Sequence, residues 1–452
     1  MNLEGKDLIK KGMLSLVLAC TMVIGACSSG DPANTNPGTG TKEGTTGAQA
    51  PVKLKMWGGV PEENGPAEVV ENWNKNNPDI QVEYVRYVND DGGNTKLDTA
   101  LISKTDAPDM FISYGETYFN RRMNAGMTEP LDEWISKVSF DVEGVIGSDN
   151  IIKHEDKIHY LPAMKQISMV LINQSALEET GEKLPTQWTW DEYVQLAQKL
   201  TKDDAKGSFI EAPGEILPKI MLTLAQPQDT YYNEEGLSLF DHEAVAKGMQ
   251  LQKQLYDEGH MVSWPETISN NLKTFSELFT GKANMVLGGT HLMRYVKNTQ
   301  DFPREFKVAF APNPQYVDSG NVNIAGFNDL ISINNKSAHK EEAMKFLSWY
   351  LTEGNTAMIA GGRIPTNKKA DMDQVVELFV GEAEPLIDVE SLKNILSTEY
   401  VFPKQIKSVA YAELTKILTE ESEKYMMNAQ TLEATMEKVK SRADQAIQAE
   451  SK

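Results

Sequence analysis

Cysteine is nearly absent: the 452-residue chain has two, Cys20 and Cys27, and none follows residue 27. The body therefore has no disulfide, zinc cluster or thiol nucleophile available to it. Basic charge is also in short supply, with 44 Lys and Arg against 65 Asp and Glu, for a net charge of -21. That balance, with no Lys/Arg stripe interleaved with aromatics, argues against nucleic acid as a partner. No apolar run reaches the ~20 residues that a membrane-crossing helix needs. GxxxxGK(S/T), HExxH, CxxC and GxSxG are all missing from the body, which removes the commonest local signatures of NTPases, zincins, redox enzymes and α/β-hydrolases. Gly38 and Gly40 have no strand before them and no helix after them, so the dinucleotide reading fails. His154 and His159 flank Glu155-Asp156-Lys157, which reads as a hairpin turn, and their spacing is poor for two ligands on one helix face. The oxygens of residues 89–94 lack the spacing of an EF-hand loop and read as a solvated turn. Neither a metal nor a cofactor is expected.

The first fifty residues carry the strongest local signal. Lys10 and Lys11 lead into an apolar run over residues 13–24, roughly a dozen positions, which is the length of a secretory h-region. Ile24-Gly25-Ala26-Cys27 follows and resembles a bacterial lipobox. Residues 1–26 are expected to be removed as a signal peptide, leaving a diacylglyceryl-modified Cys27 as the anchor to the outer face of the cell membrane. Residues 27–50, rich in Gly, Thr and Pro and without aromatic or branched apolar side chains, read as a flexible tether.

The body is too long for a single hydrophobic core, so two lobes are expected. Val52, Leu54 and Met56 alternate with lysines up to Trp57; Ala67, Val69, Val70 and Trp73 then suit a helix stopped near Pro78. The strand-helix alternation repeats through Ile80, Val82 and Tyr84, then Leu97 and Leu101, then a strand over residues 108–113. Three such units favour a parallel sheet covered by helices. Thr189 and Glu192 form a capping box. Asp241 and Ser337 are expected to cap further helices, and Leu432, Met436, Val439, Ala443 and Ile447 form the apolar stripe of a C-terminal helix. No fixed-period repeat is present.

An ordered set of short segments carries a family resemblance over nearly the whole body. It runs from Leu54-Lys55-Met56-Trp57-Gly58 through Asn77-Pro78-Asp79-Ile80, Ala107-Pro108-Asp109-Met110-Phe111 and Ala125-Gly126-Met127-Thr128 to Phe279-Thr280-Gly281-Lys282-Ala283 and Gly361-Gly362-Arg363-Ile364-Pro365. The set resembles the family 1 extracellular solute-binding proteins, the maltose-binding type that serves ABC sugar importers. The resemblance implies a two-lobed α/β fold of the Venus-flytrap kind, with hinge strands and a ligand cleft. Its lobes would be an N-lobe over 51–166, a C-lobe over 167–325, an N-lobe return over 326–365 and C-lobe helices over 366–452. It also implies a monomer that binds a carbohydrate, an oligosaccharide in expectation, hands it to ABC permease subunits and catalyses nothing.

Sugars present an apolar C–H face and a rim of hydroxyls, so aromatic platforms with amide and charged groups are the side chains to seek. Strand ends are the places to seek them. Trp57 and Glu62 follow the first strand, and Tyr114 and Glu116 follow the third. By the resemblance, Gln166 stands at the crossover where the maltose type places a ligand carboxylate, and His291 stands where many members carry a stacking Trp. Trp264, Phe327, Asn328, Asp329 and Arg363 complete the candidates, and Tyr231 and Tyr232 sit in a loop able to cap the cleft. Two other readings stay open: a secreted lipoprotein glycoside hydrolase with a carboxylate pair, and the same fold with a polyamine, an organic anion or a metal complex as cargo.

Overall fold

The computed structural model describes residues 50–316, 323–398, 400–407 and 409–451. The expected signal peptide and Cys27 lie outside the described residues. The strands in chain order are β1 (Val52–Gly58), β2 (Ile80–Arg86), β3 (Met110–Tyr114), β4 (Leu161–Pro162), β5 (Met164–Asn173), β6 (Met285–Gly289), β7 (Val308–Ala311), β8 (Asn323–Phe327), β9 (Asp329–Ile333), β10 (Ile364–Pro365) and β11 (Tyr400–Val401).

One sheet has the order β2-β1-β3-β9-β4. β1 runs parallel to β2 and β3, as the alternation predicts, but β9 runs antiparallel to both of its neighbours, β3 and β4. The sheet is therefore mixed. Its antiparallel part arises because β9 re-enters from the second sheet instead of following a crossover helix. Period-two alternation decides which core each side chain joins. Leu54, Met56, Met110 and Ile112 face a cluster completed by Phe346 and Leu347 of the helix Lys340–Thr352. Trp57 and Phe111, of opposite parity, face Leu97 and Leu101 of the helix Asp91–Leu101.

The second sheet is built on β5, whose first half pairs with β10 and β8 and whose second half pairs with β6 and β7. Ile167, Met169 and Leu171 enter one core, while Val170 and Ile172 enter the other. The helices Glu243–Asp257, Tyr411–Met426 and Leu432–Glu450 enclose a further cluster with Trp264 and Phe240.

Helix ends follow local chemistry. Thr189 Oγ1 accepts from the Glu192 amide at 3.3 Å and Glu192 Oε2 accepts from the Thr189 amide at 2.6 Å, which closes the capping box. Such a cap is worth about 1 kcal/mol. The caps expected at Asp241 and Ser337 fall elsewhere. His242 takes the first position, its Nδ1 accepting from the Ala244 amide at 3.1 Å, while Asp241 lies 3.9 Å from Lys440. Ser337 donates to Asp109 Oδ1 at 2.6 Å, tying its loop to the first sheet, and the helix begins after His339. Glu155 and Asp156 turn the hairpin at His154 and Lys157 with φ of 50° and 62°.

Candidate ligand-binding cleft

Two adjoining cavities of about 550 and 490 Å³ share Gln166, Ser168, Glu215, Lys219, Thr223 and Ile324 and form one continuous cleft. Strand parity aims Gln166 and Ser168 into it. They lie on the face of β5 that carries Val170 and Ile172 into the core further along, where β6 and β7 flank the strand. Segments around the first sheet contribute Glu116, Asp149 and Tyr160, and segments around the second contribute Lys219, His291 and Arg294.

Three stacked aromatic pairs line the walls. Phe275 and Tyr295 stack at 4.0 Å, Phe327 and Phe402 at 4.9 Å, and Tyr231 and Tyr411 at 5.2 Å between ring centroids. Each ring fixes its partner, so the platforms are preformed. Amides hold the crossing point: Asn328 Nδ2 donates to Gln166 Oε1 at 2.9 Å.

Two glycines set the backbone. Gly115, at φ 89°, turns the chain after β3 so that Glu116 opens the helix Glu116–Asn124 at the cleft edge. Gly362, at φ 88°, passes so close to the segment after β6 that a Cβ would sit 2.8 Å from the Thr290 carbonyl oxygen. Arg363 follows and enters the same region.

The electrostatics are graded. Burial, with Asp229 adding repulsion, lifts the Glu116 carboxyl to about 7. Burial, reinforced by Arg294 and Arg363, drives the His291 imidazole down to about 3, so it is neutral at ordinary pH. The charge of Glu215, and then Tyr231, raises Lys219 against the opposing effect of burial. Burial raises the Asp329 carboxyl despite Arg363, whose Nε lies 3.6 Å away.

Of the sequence candidates, Glu116, Gln166, His291, Phe327 and Asn328 line the cleft. Asp329 and Arg363 form a buried pair beside it. Tyr114 sits next to them and accepts a hydrogen bond from the Gly59 amide at 2.7 Å. Trp57 and Trp264 are fixed in cores, and Glu62 is exposed beside a separate groove with Glu68 and Gly361. Both tyrosines are buried; Tyr231 borders the cleft, whereas Tyr232 donates to the Val409 carbonyl at 2.7 Å. Lys219, Phe275, Arg294, Tyr295, Phe402 and Tyr411 line it without having been singled out. Among the described residues no group of three or more His, Cys, Asp or Glu could hold a metal ion.

Two sheets linked by β5 and by the β8–β9 passage, with a polar and aromatic cleft between, define the class of two-lobed binding proteins that enclose a ligand. Within it, the chain belongs to the bacterial extracellular solute-binding proteins, whose family profile matches residues 60–357. An arabinooligosaccharide-binding protein of Bacillus subtilis (strain 168) is 21% identical over 341 residues, covering 74% of each chain. An uncharacterized lipoprotein of Streptomyces antibioticus is 22% identical over 321 residues, covering 68% of each chain. Among solved structures, an ABC substrate-binding protein of Listeria monocytogenes in complex with cycloalternan superposes with a TM-score of 0.70 at 18% identity, covering 88% of this chain and 99% of that one. No helix among the described residues is long and apolar enough to cross a membrane.

Proposed function

We propose that this protein captures an oligosaccharide in its interlobe cleft and delivers it unaltered to the permease subunits of an ABC importer. The observation that carries the reading is the set of three stacked aromatic pairs spread along a cleft that also offers Gln166, Asn328, Glu116 and Lys219. Stacking platforms with interspersed donors and acceptors match the alternating apolar faces and hydroxyl rims of linked sugars. Three separated platforms suit several rings better than one. The names of the Bacillus relative and the Listeria neighbour support the same ligand class.

Closure follows from contacts that only the closed form makes to the ligand. The hinge is the stretch where β5 and the β8–β9 passage run side by side, with an N-lobe over residues 51–166 and 326–365. The protein acts as a monomer. It is held at the outer face of the membrane through lipidated Cys27, an anchor that the name of the lipoprotein relative supports.

Calorimetric titration against arabino-, xylo- and malto-oligosaccharides, followed by chromatography of the recovered ligand, tests the proposal. A saturable one-to-one isotherm with intact ligand is the expected result. Cleaved ligand would make the protein a glycoside hydrolase, and binding confined to polyamines, organic anions or metal complexes would change the cargo.

A further inference from the structure

The larger cavity has a chemistry of its own. Phe275 and Tyr295 form its platform, and the Arg294 guanidinium lies 4.7 Å from the Tyr295 ring centroid. Arg294 Nη2 donates to Tyr295 Oη at 2.9 Å, while Arg294 Nε is buried without a hydrogen-bond partner. Beside it stands His291, whose Nδ1 is also buried and unpartnered. Two polar groups on one wall of a ligand cavity are therefore left unsatisfied, a costly arrangement unless something supplies the missing acceptor.

The other charges around this wall are already matched. Lys273 Nζ pairs with Glu211 Oε1 at 2.8 Å, Lys219 faces Glu215, and Arg363 lies 3.6 Å from Asp329. Among the described residues Arg294 makes no ion pair, and Asp329, the acid that acts on it electrostatically, is shared with Arg363. One uncompensated cation thus faces the cavity of a strongly acidic chain.

We infer that the wall formed by His291, Arg294 and Tyr295 is a subsite for an anionic sugar residue, a uronate, whose carboxylate meets the Arg294 guanidinium while its ring lies against the Phe275–Tyr295 pair. A planar carboxylate suits the guanidinium fork. A dianionic phosphate suits it less, because Glu211 and Glu215 line the same cavity. His291, held neutral by burial and by its two arginine neighbours, supplies a single N–H and no competing charge. The inference rests on the oligosaccharide reading and narrows it to acidic oligosaccharides.

The test is calorimetric titration of the full mature chain with arabino- and xylo-oligosaccharides, each with and without a glucuronate substituent. The substituted sugar should bind at least tenfold tighter. Arg294→Gln should bring the ratio of the two affinities close to one, and Arg294→Lys should restore part of it, with circular dichroism confirming that both variants fold. The His291 imidazole, followed by NMR, should titrate at higher pH in the uronate complex than in the neutral one, because a carboxylate opposes the effect of the arginines. Equal or weaker binding of the substituted sugars, or an unchanged ratio in Arg294→Gln, would overturn the subsite and leave the oligosaccharide reading standing. Failure of every sugar to bind would overturn both.

Discussion

Asn328 donates its side-chain amide to Gln166 Oε1 at 2.9 Å, joining the two chain passages that link the sheets. Backbone bonds reinforce the junction: the Asn328 amide reaches the Met164 carbonyl at 3.2 Å and the Ala163 amide reaches the Asp329 carbonyl at 2.9 Å. The side-chain bond is thus the part of the junction that a substitution can remove. Asn328→Ala should forfeit about 1 kcal/mol and leave the Gln166 carbonyl unpaired in the cleft. The expected result is a five- to tenfold rise in Kd, by calorimetry, and a larger radius of gyration at subsaturating ligand.

The stacked pairs make a second prediction. Removing one ring of a platform exposes its partner and deletes a sugar-binding face, so Phe402→Ala should weaken oligosaccharide binding by about 1–2 kcal/mol, or roughly tenfold. Trp57 provides the contrast, because it packs with Leu97 and Phe111 away from the cleft. Trp57→Phe should lower the thermal midpoint and leave the calorimetric Kd unchanged.

That contrast also marks how far the sequence can be read. The alternation of Val52, Leu54 and Met56 up to Trp57 announces a strand, yet both faces of the first sheet are covered, so apolar character cannot tell a core Trp from a cleft Trp. Strand-end logic places Glu116, because loops after strands are where such sheets present side chains, whereas Gln166 is found only through the family resemblance. Arg294, Phe402 and Tyr411 carry no comparable local signal. They reach the cleft from segments distant in sequence, and only tertiary packing brings them together. The antiparallel entry of β9 is hidden for the same reason: its partner β3 lies far upstream in the chain.

Glu116 gives a pH prediction whose sign is set by its environment. Burial, then Asp229, lifts its carboxyl from 4.5 to about 7 in the folded protein. Tyr160 and Tyr411 also feel its charge. The folded state therefore holds the proton more tightly than the unfolded chain does. Stability tied to this group is complete below pH 4.5 and is lost as pH rises through 7. Glu116→Gln should match the wild type in unfolding free energy, from denaturant titration, near pH 4.5 and exceed it at pH 8 by about 2 kcal/mol.

The proposed anchor is tested in cells. Cys27→Ala should move the protein from the membrane fraction into the medium and abolish incorporation of labelled palmitate, since one thioether-linked diacylglycerol supplies the two chains that stable attachment needs. Fractionation with immunodetection reads the result directly.

Glu421 supplies the last prediction and the opposite pH sign. Its side chain is buried between the helices Tyr411–Met426 and Leu432–Glu450, where Oε1 accepts from Lys424 Nζ and Arg442 Nη1, each at 2.6 Å, and Oε2 accepts from Gln430 Nε2 at 2.8 Å. Burial alone would favour the protonated acid. Hydrogen bonds from Lys424, Gln430 and Arg442 outweigh it and hold the carboxyl down at about 2, against an ordinary 4.5. The stability it contributes is present above pH 4.5 and is lost as pH falls through about 2. Glu421→Gln keeps the shape and removes the charge, and should cost about 2–3 kcal/mol at pH 7. Breaking a fully buried pair costs more, but Lys424 and Arg442 both reach solvent. The difference in unfolding free energy between variant and wild type should shrink steadily as pH falls from 4.5 toward 2, because the protonated wild type then resembles the amide. A difference that is unchanged by acid would mean that Glu421 acts through packing and not through its charge.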